Sequence, residues 1–191
     1  MRVPKNEVRY MEPMYFFAPN GLRPDWISGF VDGEGCFQIA ITLKEKSRYG
    51  ITLTPSFSVA QHFRSGYILD ALETFFQCGS CKNDTHSRCR VYEVRKLHDL
   101  RHTIVPFFHA HPLRTSKKED FARFHTALQL LANGEHLNHR GLLQIVTLAY
   151  SMNSRGKHRR HSLRSIEARI AKYAAKRANG SSQGPKKHIP K

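Results

Sequence analysis

Four side chains near the middle of the sequence could together bind a metal ion. Cys78 and Cys81 are separated by two residues, and His86 and Cys89 follow within the next eight positions. Sets of four cysteine and histidine ligands are typical of structural zinc. The interval before Cys89, however, is two residues shorter than in a zinc knuckle. Because Cys81 and Cys89 fall on predicted paired strands with side chains toward the core, buried free thiols are the favoured interpretation.

Two carboxylates, Asp32 and Glu34, lie among glycines at the end of a predicted short helix. Gly29 and Gly33 are four residues apart and therefore share one helical face. Each interior glycine costs about 1 kcal/mol relative to alanine, which predicts that another backbone packs closely against this face. Gly35 is expected to end the helix. Taken alone, a glutamate at such a position is usually a solvated surface carboxylate.

The net charge of the chain indicates which class of molecule it binds. Lys and Arg number 31 against 15 Asp and Glu, which gives a net charge of +16 and a pI near 10.1. This surplus favours a polyanion, with nucleic acid as the leading candidate, because binding releases counterions. A membrane partner is not expected, since no run approaches the roughly 20 apolar residues of a spanning helix. The opening residues do not have the pattern of a secretory signal, so reducing conditions are expected.

The positive charge is concentrated in the last part of the chain. Residues 155–191 hold 12 Lys and Arg and one acid. Leu163–Ala178 is predicted to form a basic amphipathic helix, followed by a disordered tail rich in Gly, Ser, Pro and Lys. Arg159 and Arg160 are expected to contact phosphates irrespective of sequence. The predicted organisation is an N-terminal extension over 1–21, one domain over 22–155, and a basic C-terminal helix and tail over 156–191.

Hydrophobic periodicity predicts an α+β fold. Apolar and polar residues alternate from Cys36 and again from Ile51, which predicts a long hairpin. A second hairpin is predicted near Ser80–Asn83 and Arg88–Val94, giving four antiparallel strands with helices on one face. The predicted helices before residue 156 are Asp25–Asp32, Tyr67–Phe76, His98–Phe108, Lys117–Ala132 and Arg140–Met152.

The second face of this sheet is predicted to be polar and basic. A ribbon of this kind can lie in the major groove of DNA, where donors and acceptors on base edges report the sequence. The alternative is a solvated sheet face, but Arg and Lys without matching acids favour DNA. The candidate DNA-binding residues on this face and in the turn of the first hairpin are Gln38, Thr42, Lys44, Lys46, Arg48, Thr52, Thr54, Ser58, Lys82, Arg88, Arg90 and Tyr92.

The segment Trp26–Gly35 (WISGFVDGEG) resembles the signature of the LAGLIDADG homing endonucleases. Ile27–Gly35 fills all nine motif positions with identical or physically similar residues, and the resemblance extends over roughly residues 22–155. It continues through FSVAQ, PLRTSKKEDF and GEHLNHRGLL. The resemblance implies an αββαββα half-barrel whose signature helices pack together at a twofold axis. This would explain the two glycines.

The sequence contains a single motif, which predicts a symmetric homodimer acting on a pseudo-palindromic DNA site. A monomer of this chain would contain only half of the active site that the resemblance implies. The residues expected at the dimer interface are Ser28, Gly29 and Gly33.

The resemblance assigns the metal-binding acidic position to Glu34, with the Gly33 carbonyl oxygen as a second ligand. Mg²⁺ is the implied cofactor, since it prefers oxygen donors; Mn²⁺ is expected to substitute and Ca²⁺ to bind without efficient cleavage. The implied reaction is phosphodiester hydrolysis. Asp32 is interpreted as structural rather than as a ligand.

Three further positions of the resemblance carry expected site residues. Gln61 matches the position that orders water around the metals. Lys117 is preferred as the basic active-site residue, although Lys118 falls in the same stretch and the choice between them stays open. Beyond Gln61, the family often carries an arginine, and here either Arg64 or Ser65 matches that position.

Two rival functions remain on the same scaffold. Some family members are maturases that assist splicing of their own intron, so intron RNA is a possible partner. A DNA-binding regulator without cleavage would be expected to lack the acid or the Gln and Lys pair, all of which are present in this chain. The resemblance suggests an intron-encoded protein of an organelle (mitochondrion or chloroplast) or of the bacterial cytoplasm.

Overall fold

The computed structural model describes residues 21–84, 87–153 and 159–181. Of the N-terminal extension expected over 1–21, residues 1–20 lie outside the described residues, and so do residues 182–191 of the expected disordered tail. The first three residues of that tail, 179–181, belong instead to the last helix. In chain order the elements are α1 (Pro24–Glu34), β1 (Gly35–Leu43), β2 (Ile51–His62), α2 (Tyr67–Phe76), β3 (Ser80–Asp84), β4 (Cys89–Val94), α3 (Leu97–Asp99), α4 (Val105–Ala110), α5 (Lys117–Ala132), α6 (His139–Ser151) and α7 (Leu163–Ser181). A π-helical stretch, Leu100–Ile104, joins α3 to α4.

The predicted α+β architecture is confirmed. The four strands form one antiparallel sheet in the order β1-β2-β4-β3, and the helices follow the αββαββα order with further helices after it. In the first hairpin Gly35 lies opposite Val59, and Phe37 lies opposite Phe57. Since opposed residues of an antiparallel pair share a face, this register defines which side chains lie on each side of the sheet.

One face of the sheet is buried under helices. Phe37 lies at the centre of this core and contacts the rings of Phe57, Phe108, Phe121 and Phe124, with centroid distances between 5.1 and 5.5 Å. The apolar side of α1 enters the same core. Among the described helices, none is both long and apolar enough to cross a lipid bilayer.

The free edge of β1 is closed by side chains from distant parts of the chain. Lys117 donates a hydrogen bond to the Gly35 carbonyl oxygen. Asn153 Nδ2 donates to the Phe37 carbonyl oxygen at 2.8 Å, and Arg159 Nη1 donates to the Ile39 carbonyl oxygen at 3.1 Å. These are alternate carbonyls of one edge, which would otherwise be open to pairing with another strand.

Arg159 is therefore a structural residue, which corrects its expected role as a phosphate contact. Besides Ile39 it binds the Ala149 carbonyl oxygen at 2.7 Å, and its guanidinium lies 4.8 Å from the centroid of the Tyr150 ring. Burial lowers the pKa of Arg159, although the group remains a cation at neutral pH. Its neighbour Arg160 is exposed.

Candidate nucleic-acid interface and catalytic end

The face of the sheet opposite the phenylalanine core carries small and polar side chains. The strand registers assign six of the predicted DNA-binding residues to this face, and three more lie exposed in the turn between β1 and β2. Gln38 and Ser56 are opposed across the hairpin, and Gln38 Nε2 donates to Ser56 Oγ at 3.2 Å. The six are Gln38, Thr42, Thr52, Thr54, Ser58 and Lys82, and the three are Lys44, Lys46 and Arg48.

Tyr92 and Arg90 do not lie on this polar face, which corrects their predicted role. Tyr92 is opposed to Val59 and is completely buried; its hydroxyl donates to the Cys78 carbonyl oxygen at 2.8 Å. Burial raises the pKa of Tyr92. Arg90, two residues away on the same face, forms an ion pair with Asp70 of α2. The sequence correctly predicted β4 as a strand, but it assigned the side chains of β4 to the wrong faces of the sheet.

Arg88 precedes β4 in the turn of the second hairpin. Its backbone has a φ of 53°, and its side chain is exposed. The DNA contact of Arg88 stays a prediction.

Among the described residues, Cys78, Cys81 and Cys89 do not form one group of potential metal ligands. Cys81 is opposed to Tyr92 on the helix side of the sheet, whereas Cys89 is opposed to His62 on the polar side, contrary to the prediction that both point to the core. All four cysteines are outside disulfides and half-buried rather than fully buried. His86 lies outside the described residues.

Among the described residues, one group of three potential metal ligands occurs: Asp70, Glu73 and Cys81. Burial, together with Glu73, raises the pKa of Cys81 to about 12, so this thiol stays protonated at neutral pH. Glu73 accepts a hydrogen bond from the Cys81 amide at 3.1 Å, and Asp70 pairs with Arg90. These partners account for both carboxylates as structural groups.

Glu34 is the last residue of α1 and is directly followed by β1. The helix ends because Gly35 is extended, with φ of −76° and ψ of 155°. A Cβ atom on Gly35 would lie 2.5 Å from Val31 Cγ1 and 2.8 Å from the Val31 carbonyl oxygen, so only glycine fits this junction. Glu34 and Gly33 are exposed, and among the described residues none forms a hydrogen bond or ion pair with the Glu34 carboxylate.

Asp32 fastens the start of α5 to α1. Its carboxylate accepts hydrogen bonds from the Arg114 amide at 2.7 Å, from the Thr115 amide at 3.2 Å and from Thr115 Oγ1 at 2.8 Å. Burial is the largest single influence and raises the pKa of Asp32, but these hydrogen bonds and the charge of Lys117 outweigh it and leave the pKa lowered. The structural interpretation of Asp32 agrees with these contacts, although the sequence did not indicate its partners.

Lys117 lies beside the end of α1 that carries Glu34. This position distinguishes Lys117 from Lys118. As the first residue of α5 it donates to the Gly35 carbonyl oxygen, whereas the side chain of Lys118 is exposed. The expected preference for Lys117 therefore gains a geometric reason. Gln61 follows Val59 by two residues, and Val59 is opposed to Gly35, so Gln61 lies at this same end of the sheet.

Arg64 and Ser65 follow Gln61 in a short 3-10 turn, and both are exposed. Nothing in this geometry separates the two as the matching position.

The outer face of α1 is apolar and open. Trp26 is 44% exposed and stacks on Phe30 at a centroid distance of 4.8 Å. Cβ atoms added at Gly29 or Gly33 would meet no atom of the described residues within 4 Å. Ser28, by contrast, is only 7% exposed and donates from Oγ to the His111 carbonyl oxygen at 2.8 Å. The prediction of Ser28 as an interface residue is therefore wrong, because it lies on the buried side with Ile27.

Comparison with known proteins gives consistent results. A sequence model of the family described as LAGLIDADG endonuclease matches residues 27–128. Probable intron-encoded endonuclease 2 of Neurospora crassa is 32% identical over 128 residues, which cover 67% of this chain and 27% of that protein. This chain therefore spans about a quarter of the length of that curated relative.

Two solved structures are similar over most of the chain. The homing endonuclease I-TnaI has 34% identity and a TM-score of 0.69, with 80% of this chain and 99% of that chain covered. The archaeal intron-encoded homing endonuclease I-Vdi141I, solved in complex with DNA, has 27% identity and a TM-score of 0.72, with 80% and 96% covered.

Proposed function

Because this chain belongs to the LAGLIDADG endonuclease family, we propose that it is a homing endonuclease that cleaves both strands of a long, pseudo-palindromic DNA site as a homodimer. The observation that carries this proposal is the arrangement at the foot of α1, where Glu34 is exposed and Lys117 binds the next carbonyl oxygen. A protein that bound DNA without cleaving it would not need this carboxylate and lysine together.

The polar face of the sheet is the proposed DNA-binding surface. Hydrogen-bonding side chains such as Gln38, Thr42 and Thr54 lie on one side of two long neighbouring strands, and a sheet can present such groups to base edges in the major groove. Lys44, Lys46 and Arg48 extend the surface at the hairpin turn. Their positive charge favours phosphate contacts as well as base contacts.

The open face of α1 is the proposed dimer interface. Trp26, Phe30, Gly29 and Gly33 form an apolar surface with room for a second backbone, and burying exposed aromatic area stabilises association. A twofold axis along this face would bring two copies of Glu34 together. Two sheets would then extend in opposite directions, one for each half-site.

The donor set at the end of α1 fits a hard divalent cation. The Glu34 carboxylate and the Gly33 carbonyl oxygen are both oxygen donors, and carbonyls of the last helical turn generally lack an intrahelical partner. We propose that these groups hold Mg²⁺, that Mn²⁺ can replace it, and that Ca²⁺ supports binding without efficient cleavage. A cation held here supplies a more acidic water and positive charge beside the scissile phosphate.

The remaining roles belong to Lys117 and Gln61. The Lys117 ammonium contributes positive charge near the phosphate that gains negative charge during hydrolysis. The Gln61 amide can both donate and accept hydrogen bonds, so it is suited to orient a water molecule. We propose an organellar setting for this protein, since the relative from Neurospora crassa is named as intron-encoded, and we propose that residues 22–155 form the catalytic domain.

The proposal is tested by selecting cleaved sequences from a randomised DNA library in the presence of Mg²⁺. We expect the wild type to enrich one pseudo-palindromic site, and the Glu34→Gln variant to enrich none while still binding that site. Asp25→Asn, which removes an exposed carboxylate from the other end of α1, serves as the control and should cleave like the wild type. If the wild type enriches no sequence, the chain is not a site-specific endonuclease.

A further inference from the structure

The C-terminal helix α7 packs against the turn that joins β1 and β2. Ile166 and Ile170 are buried and form a second apolar cluster with Tyr49 and Ile51, at the end of the first hairpin. This cluster is separate from the main core around Phe37. α7 follows residue 128, where the family match ends, so it lies outside the matched region.

Arg169 of α7 joins both halves of this turn. Its Nε donates to the Gly50 carbonyl oxygen at 2.8 Å, and an Nη donates to Glu45 Oε1 at 3.3 Å. The guanidinium lies 5.2 Å from the centroid of the Tyr173 ring, one helical turn further along α7. One side chain therefore links the helix to the beginning and to the end of the turn.

Tyr173 contacts the turn at its most constrained residue. Gly50 has a φ of +73°, and a Cβ atom there would lie 2.7 Å from the Tyr173 ring. Inside the turn, the Lys44 amide donates to the Gly50 carbonyl oxygen at 2.9 Å, so the oxygen that Arg169 binds also closes the hairpin. A displacement of Arg169 or Tyr173 would be transmitted directly to the turn backbone.

The turn lies at the far end of the sheet from Glu34. Residues 35 to 43 of β1 separate the two, and a strand of that length extends about 26 Å, or roughly eight base pairs of B-DNA. The exposed side chains of Lys44, Lys46 and Arg48 would therefore meet the outer base pairs of each half-site. Long, exposed side chains discriminate between bases only if the backbone that carries them is held in place.

We propose that α7, through Arg169 and Tyr173, is a positioning element that sets the sequence preference of the enzyme at the outer positions of each half-site. The inference rests on the proposed endonuclease function and adds a specificity role for a helix outside the matched region. Arg169 acts through the turn backbone and needs no contact with DNA itself. Loosening the turn should preserve phosphate attraction, since that depends on charge, and reduce base discrimination, since that depends on geometry.

The test compares cleavage preferences of Arg169→Met with those of Lys172→Met, which removes the same charge from an exposed position of the same helix. We expect Arg169→Met to lose about tenfold in discrimination at the outer base pairs, in line with one good base contact. Preference near the cleaved centre and the maximal cleavage rate on the best site should stay within about twofold of the wild type. Lys172→Met should retain the wild-type preference everywhere.

Arg169→Lys provides a second variant, because a lysine keeps the charge but lacks the separate nitrogens with which Arg169 reaches the Gly50 carbonyl oxygen and Glu45. It should restore part of the outer discrimination. Hydrogen exchange of the Lys44 amide, measured on each folded variant, should be faster in Arg169→Met alone. A wild type that enriches a site while Arg169→Met keeps its outer preference and its slow exchange overturns this inference alone. A wild type that enriches no site overturns the proposed function, and the inference with it.

Discussion

The Lys117 ammonium donates a hydrogen bond to the carbonyl oxygen of Gly35, the residue that directly follows Glu34. The two partners lie 82 positions apart in the sequence. The contact brings the first residue of α5 to the junction between α1 and β1, where the signature helix ends. A positive charge and an exposed carboxylate thus lie at one end of the sheet, where the proposed hydrolysis needs them.

Replacing Glu34 by Gln should separate DNA binding from cleavage. The amide keeps one oxygen but loses the charge that attracts a divalent cation, while the sheet residues that contact DNA are unchanged. We expect wild-type affinity in Ca²⁺ and a cleavage rate reduced by at least about 10³-fold in Mg²⁺. Glu34→Asp, which keeps a carboxylate, should remain active. Strand-specific nicking by a heterodimer with one Glu34→Gln subunit should be impaired on both strands, and full-rate cutting of both would exclude Glu34 as the shared acid.

Asp32→Asn should reduce cleavage without weakening DNA binding. The Asp32 carboxylate holds Arg114 and Thr115 at the start of α5, so its loss should displace Lys117. The maximal rate should fall by about tenfold or more at saturating DNA. Asp25→Asn on the same helix serves as the control. An unchanged maximal rate would show that Lys117 does not depend on this anchor.

The stability difference between the wild type and Asp32→Asn should depend on pH. The pKa of Asp32 is lowered below its ordinary value of 3.8, so the folded state favours the charged form. Its stabilisation is complete above that value and is lost as the pH falls through the lowered pKa. The difference in Tm between the wild type and Asp32→Asn should therefore be largest near neutral pH and disappear under strongly acidic conditions. Thermal denaturation across this range measures it.

Gly29→Leu should produce a folded monomer. A Cβ atom at Gly29 meets no atom of the described residues within 4 Å, so the substitution should leave the Tm of the monomer almost unchanged. In the proposed dimer the leucine would separate the two α1 helices and abolish binding to a full site. Sedimentation velocity measures the oligomeric state, with Ala122→Leu on exposed α5 surface as the control. A Gly29→Leu variant that sediments as a dimer with wild-type affinity would place the interface elsewhere.

The two faces of the sheet should respond differently to mutation. Arg90→Ala removes the ion pair with Asp70 on the helix side, so it should lower stability by about 1 kcal/mol, or 2–4 °C in Tm, with sequence preference unchanged. Thr54→Ala and Lys82→Ala, on the polar face, should relax preference at a few base pairs while the Tm stays near the wild-type value. If Arg90→Ala relaxed the sequence preference of the enzyme, this result would contradict the placement of Arg90 on the helix side of the sheet.

Arg159→Met should destabilise the protein, whereas Arg160→Met should affect only the salt dependence of DNA binding. Arg159 binds the carbonyl oxygens of Ile39 in β1 and of Ala149 in α6. Leaving these oxygens without a partner costs about 2 kcal/mol. Arg160 is exposed and contributes charge alone. Urea denaturation and binding at several salt concentrations distinguish the two variants. Equal stability of both would remove the structural role of Arg159.

The order of the elements and the types of the site residues could be predicted from the sequence alone. Alternation with a period of two identified the first hairpin, and the bounds of α2 and α5 match their predictions because helical periodicity is a local property. Glu34, Gln61 and Lys117 were found through the resemblance of short segments to a known family. None of these inferences requires knowledge of how distant segments pack.

Only the tertiary structure decided the direction of several side chains. The second hairpin has few apolar residues, so its sequence did not determine which face of β4 is buried; the pairing of Tyr92 with Val59 did. Ser28 and Arg159 likewise have partners, His111 and Ile39, that lie 83 and 120 residues away. The choice of Lys117 over Lys118 depends on where α5 begins relative to Gly35. Such contacts depend on packing between segments far apart in the chain, which local pattern and charge do not specify.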